Sequence, residues 1–119
     1  MPRSVGSRSI RSRPVAATGD PAAARELQLY IDNDYDLYRG QYTSIIKNLL
    51  LKHKRGTYDS DKAVRLWEYL TAAGAKKYGQ QFGPSGESGT GGFSKATRRL
   101  AAVSLRDNFE ADMKAGNYD

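Results

Sequence analysis

Tyr35, Tyr38, Tyr42, Ile45, Ile46 and Leu49 recur at steps of one, three and four. An α-helix brings such positions onto one face, because its period is about 3.6 residues. The surrounding stretch, from Asn33 to Asp59, also carries both ends of a helix. Asn33 or Asp34 can accept the free N–H groups of a first turn. Asp32, Asp34 and Asp36 sit where the positive end of the helix dipole favours acids, and Lys52, Lys54 and Arg55 where its negative end favours bases. Gly56 then supplies the left-handed residue that ends many helices. The pattern predicts a central helix over 34–55.

Other stripes surround it. Asp20-Pro21 opens a shorter helix over Ala22–Ile31, with Ala24, Leu27, Leu29 and Ile31 apolar. Residues 22–55 read equally well as one long kinked helix. From Asp59 or Ser60, a third pattern runs through Ala63, Leu66, Trp67, Leu70, Gly74 and Tyr78 to Phe82. Trp67 is the expected core anchor, and Ala72, Ala73, Gly74 and Ala75 would permit a close helix crossing. Ser94 can cap a last helix to Ala115, with Ala102, Leu105, Phe109 and Met113 along one face. Gly40 marks either close packing or a kink. The central and last helices both end Lys-x-Gly-x-Tyr-Asp, which reads as one helix stop used twice, the tyrosine folding back on the last turn. Gly83–Gly92 reads as a flexible loop. It lacks the spacing of a phosphate-binding loop, since Gly92 is followed by Phe93 and Ser94, with Lys95 too late.

The expected fold is all-α: a small bundle of three long helices, up, down, up, and a short N-terminal one. Residues 20–119 form the domain, behind a disordered Arg/Ser-rich tail over 1–19. The expected core is Leu27, Tyr38, Ile45, Ile46, Leu49, Leu66, Trp67, Leu70, Leu105 and Phe109. Tyr35, Tyr38 and Tyr42 are open to a second reading as a stacking platform for bases. Their stripe continues into Ile45, Ile46 and Leu49, which favours the core.

Charge narrows the chemistry. The net charge is +6, and four of those charges belong to Arg3, Arg8, Arg11 and Arg13 in an acid-free start. That start reads as a phosphate-binding arm, a transit peptide, or a plain solvated tail or artefact of a start set too far upstream. Cysteine is absent, which excludes disulfides and thiolate chemistry, and His53 is the only histidine. The alternating acids Asp32, Asp34 and Asp36 resemble a calcium loop, but its sixth and twelfth positions hold Leu37 and Thr43 in place of Gly and Glu. His53 stands between two lysines with no acid near it in sequence to orient it. No catalytic constellation, cofactor site or apolar run of about 18 residues is visible. Arg98, Arg99 and Arg106 precede Glu110 and Asp112 on the last helix, against its dipole. They are expected to pair with the acids near Asp32 or to bind an external anion.

Three segments carry a resemblance: LQLYIDNDYDLYR; KRGTYDSDKAVRLWEYL with AGAKKYGQQF behind it; and RRLAAVSLRDNFE with GNYD at the end. Over roughly residues 25–82 and 93–119 the chain resembles a family of small uncharacterised proteins encoded in phage and prophage genomes. The resemblance implies a mobile-element origin and use in a bacterial cytoplasm or a virion. It brings no site residues with it, and it disfavours the transit-peptide reading.

Two function classes follow. In the first, a non-enzymatic accessory protein associates with nucleic acid by neutralising phosphates. Its residues would be Arg3, Arg8, Arg11, Arg13, Lys47, Lys52, Lys54, Arg55, Lys76, Lys77, Arg98 and Arg99. In the second, a protein-interaction module, either a host-factor inhibitor or a virion component, uses surplus apolar residues at Leu50, Leu51 and Val103. The layout of the bases separates them. One continuous patch favours nucleic acid; scattered bases paired with acids favour a protein partner.

Overall fold

The computed structural model describes residues 19–82 and 92–118. The arginine-rich start, most of the glycine-rich stretch and Asp119 lie outside the described residues. The described residues are helical, with no strand among them. Helix α1 is Pro21–Asn33, α2 is the single turn Tyr35–Leu37, α3 is Thr43–Lys54, α4 is Ser60–Phe82 and α5 is Lys95–Lys114. A π-helical turn, Tyr38–Tyr42, joins α2 to α3.

Four of the five helix starts are fixed by a short polar side chain; α3 continues from the π turn without one. The Asp20 carboxylate accepts from the N–H groups of Ala22 and Ala23, with Pro21 in the first turn. Asp34 accepts from Leu37, Asp59 from Lys62 and Ser94 from Thr97. Gly19 and Asp20 pack against the start of α5. A Cβ at Gly19 would lie 2.9 Å from the Ala96 carbonyl and 2.8 Å from Leu100. The Asp20 N–H donates to the Thr97 hydroxyl at 3.0 Å.

The leading helix is not a minor one. Ala24, Leu27 and Ile31 are buried, at the three- and four-residue spacing of a helix face. Leu29 falls off that face and is exposed. Helix α1 packs between α4 and α5. It runs with α5, as the Asp20–Thr97 and Gln28–Ser104 hydrogen bonds show. It crosses α4 at Gly74, where an added Cβ would come within 2.6 Å of Ile31. Helices α4 and α5 run antiparallel, with Ser60 opposite Glu110, Glu68 opposite Arg99 and Tyr78 against Phe93.

The predicted central helix is neither continuous nor central. Asp34 takes an extended conformation, φ −90° and ψ 113°, so α1 does not run on into α2. Four residues later the helix widens into the π turn. The hydroxyls of Thr43 and Ser44 donate to the carbonyls of Arg39 and Gly40, a back-bonding that bends helices. Nothing lies within 4 Å of a Cβ at Gly40, so close packing does not explain that glycine. A π turn holds an extra residue, which rotates the upstream stripe out of line with the downstream one. The expected core residue Tyr38 is therefore exposed, with Tyr42 half-buried and Leu49 buried. Ile45, Ile46 and Leu66 are also half-buried.

The two Lys-x-Gly-x-Tyr stops have one geometry. Gly56 and Gly116 have φ of 76° and 78°. Gly56 N–H donates to His53 and Thr57 N–H to Lys52; Gly116 N–H donates to Met113 and Asn117 N–H to Asp112. Both tyrosines then converge on Phe109, Tyr58 at 6.0 Å and Tyr118 at 5.6 Å between ring centres. Phe109 packs on Trp67, which is fully buried. Below this cluster, the Glu110 carboxylate accepts from the Tyr58 hydroxyl at 2.6 Å and the Ser60 hydroxyl at 2.5 Å. Partial burial opposes the Glu110 charge, yet these two bonds, Arg106 and Lys114 hold its carboxyl below the usual carboxylate range.

Trp67→Ala should cost ~3–5 kcal/mol, as other large-to-small core changes do. Gly74→Val should cost about 1–3 kcal/mol by overpacking against Ile31. Urea denaturation checks both, and an unchanged midpoint for Gly74→Val would remove the close crossing. Because folding lowers the Glu110 pKa, the stability it adds is present above the unfolded value of 4.5 and lost as pH falls through the folded one. Thermal melts across that range should show an acid limb that flattens in Glu110→Gln.

Candidate nucleic-acid interface

The outward face of α4 follows from its inward one. Ala63, Val64, Trp67, Leu70, Thr71, Gly74 and Ala75 are buried. At about 100° of rotation per residue, the opposite side holds Lys62, Arg65, Tyr69, Ala72 and Lys76, and all five are exposed. Between Lys62 and Lys76 this ridge is about 21 Å long at the helical rise. Tyr69 stands at its middle and is 73% exposed.

A groove borders the ridge on each side. Towards α5 lies an open cavity of about 490 Å³, lined by Arg65, Glu68, Tyr69, Thr71, Ala72, Lys95, Arg98 and Arg99. Four of these are cations and one is an acid. Lys95, Arg98 and Arg99 enter it because they occupy the first turns of α5, which the Ser94 cap and the Thr97–Asp20 bond fix against α1 and α4. Towards α3 lies a smaller cavity of about 160 Å³, whose lining includes Lys52, Lys62 and Asp59 together with Leu49 and Leu66.

The predicted residues divide on this frame. Arg98 and Arg99 line the larger groove, Lys76 ends the ridge and Lys52 lines the smaller groove. Lys54 and Arg55 are exposed near the end of α3, and Lys47 is exposed earlier on it. Lys47 and Lys54 lie roughly 140–160° around the helix from buried Leu49. Lys77 faces the other way. Its ammonium is 2.8 Å from Asp34 and 3.5 Å from Asp36, and the bond to Asp34 holds its pKa above the usual lysine value. Arg3, Arg8, Arg11 and Arg13 lie outside the described residues.

The expected pairing of the α5 arginines with the acids near Asp32 is not what forms, because Lys77 of α4 lies nearer Asp34 and Asp36. Arg99 meets Glu68 at 3.0 Å, Arg98 donates to the Phe93 carbonyl at 2.7 Å, and Arg106 meets Asp107 and the Ser60 carbonyl. Arg65, Lys62, Lys95 and Tyr69 were missing from the expected set. The first, second and fourth were legible as the polar side of the Trp67 stripe; Lys95 joins them only through the packing of α5 on α4.

His53 is exposed, with the Tyr58 ring edge-on at 6.4 Å. Among the described residues no three His, Asp or Glu side chains are grouped to hold a metal ion, and no helix is long and apolar enough to cross a membrane. No protein-family model, curated protein or solved structure matches the chain.

Proposed function

We propose that this is a non-enzymatic accessory protein of phage or prophage origin that associates with nucleic acid through the α4–α5 face. The observation that carries the reading is the larger groove, where Arg65 from α4 and Lys95, Arg98 and Arg99 from α5 surround one carboxylate. Lys62 and Lys76 extend the charge along the ridge, and Lys52 adds to it across the smaller groove. Phosphates attract such a surface without base reading, so affinity is broad in sequence and steep in salt. The arginine-rich start would add to the same attraction. Use in a bacterial cytoplasm, or inside a virion, fits this reading.

A second reading has its own support. Leu51, Tyr35 and Tyr38 are 47%, 67% and 45% exposed, on α3 and the turns that lead into it. A host or phage protein could cover them, with no nucleic acid involved.

The test is binding of the full chain to random-sequence duplex and to single-stranded RNA across a salt series. Arg65→Gln and Lys95→Gln should each weaken binding evenly across sequences and reduce the salt slope by about 1. Lys47→Gln, on the far side of α3, should leave it unchanged. Binding untouched by the first two variants but lost when residues 1–18 are removed would assign it to the tail. No binding at low salt would leave the protein-partner reading.

A further inference from the structure

The ridge carries one large side chain that phosphate neutralisation does not use. Among the described residues Tyr69 is the most exposed of the large apolar side chains, at 73%. The other exposed tyrosines are engaged. Tyr35 bonds to Arg39, whose guanidinium lies 5.7 Å from the ring centre, and Tyr38 stacks on Tyr42 at 5.0 Å. Among the described residues, no aromatic ring or side-chain hydrogen bond holds Tyr69. It sits at the rim of the larger groove, four residues from Arg65 and opposite the Arg98 and Arg99 wall.

Resting on the nucleic-acid reading above, we infer that the α4–α5 groove is a single-strand site in which Tyr69 stacks a base while Arg65, Lys95, Arg98 and Arg99 hold the flanking phosphates. A base offers its face to an aromatic ring only when it is unpaired and can turn away from its neighbours; in a duplex both faces are covered. The groove volume of about 490 Å³ falls in the range of small-molecule sites and admits a nucleotide-sized group. Arg65 stands on one wall and Lys95, Arg98 and Arg99 on the other, so a strand laid along it meets cations to the left and right. A duplex, too wide to enter, would reach only the ridge.

The experiment compares the full chain with Tyr69→Ala and Tyr69→Trp, using a labelled oligothymidine and a mixed-sequence duplex of equal length. Melting curves confirm that both variants fold, as exposure of the position leads one to expect. The expected result is tighter binding of the single strand than of the duplex. Tyr69→Ala should weaken the single strand by about 5- to 150-fold and leave the duplex unchanged, and Tyr69→Trp should restore single-strand affinity. Equal affinity for both probes, or an unchanged single-strand affinity in Tyr69→Ala, would overturn the single-strand inference while leaving the nucleic-acid reading standing. No binding of either probe by the unaltered chain at low salt would overturn both.

Discussion

Trp67 sits at zero exposure where four pieces of chain meet. Tyr42 approaches its ring edge-on at 5.3 Å, and Phe109 lies 6.3 Å away. Phe109 in turn receives Tyr58 and Tyr118. A small domain has little core to share, and here one indole and one phenyl ring gather the π turn, the α3–α4 link, α5 and the chain's last described turn. The indole N–H has no hydrogen-bond partner among the described residues. An unmet buried donor carries a desolvation penalty, so the ring is retained for the aromatic area it buries and not for polar bonding. Burial of that area also explains the neighbouring phenols. Tyr42, half-buried beside the indole, is pushed up to about 12, chiefly by burial.

This hub explains which sequence signals survived folding. Trp67, Leu70, Leu105 and Phe109 were legible because local period and side-chain size pointed the same way. The helix stops were legible because glycine in the left-handed region is a local matter, set by Gly56 and Gly116 themselves. Tyr38 was misread because its stripe assumed an unbroken α-helical period through Gly40. The only local hint of the π turn was a glycine followed at three and four residues by Thr43 and Ser44. The importance of α1 was also hidden. Ala24, Leu27 and Ile31 are few, and they become a wall of the core only because Gly74, forty-odd residues away, has no side chain to keep Ile31 out.

The charged face was half-legible for the same reason. Lys62, Arg65, Tyr69 and Lys76 form a polar stripe that any helical wheel centred on Trp67 displays. The groove beside them depends on α5 lying antiparallel to α4, a non-local fact that no window of sequence contains. Lys77 shows the opposite case. Adjacent to Lys76 in sequence, it lies about 100° around the helix and is drawn to Asp34 and Asp36. One residue of register separates a free cation from one already engaged.

Glu68 is the feature of the groove that most opposes an anion. Its carboxylate holds Arg99 at 3.0 Å, with the two side chains 32% and 60% exposed. Pairs this accessible typically contribute only about 0.2–1 kcal/mol, and salt weakens them further. An arriving phosphate can therefore exchange with Glu68 for Arg99 at small cost. Until then the pair holds the Arg99 guanidinium beside Glu68 in the lining of the groove. Arg98 is steadied similarly by the Phe93 carbonyl. Both arginines of the α5 wall are thus held in place by weak partners that a stronger anion can displace, while Arg65 stands on the rigid α4 ridge opposite them. A basic surface of this kind differs from a scatter of mobile lysines in one respect: part of the side-chain ordering that anion binding would require is already present.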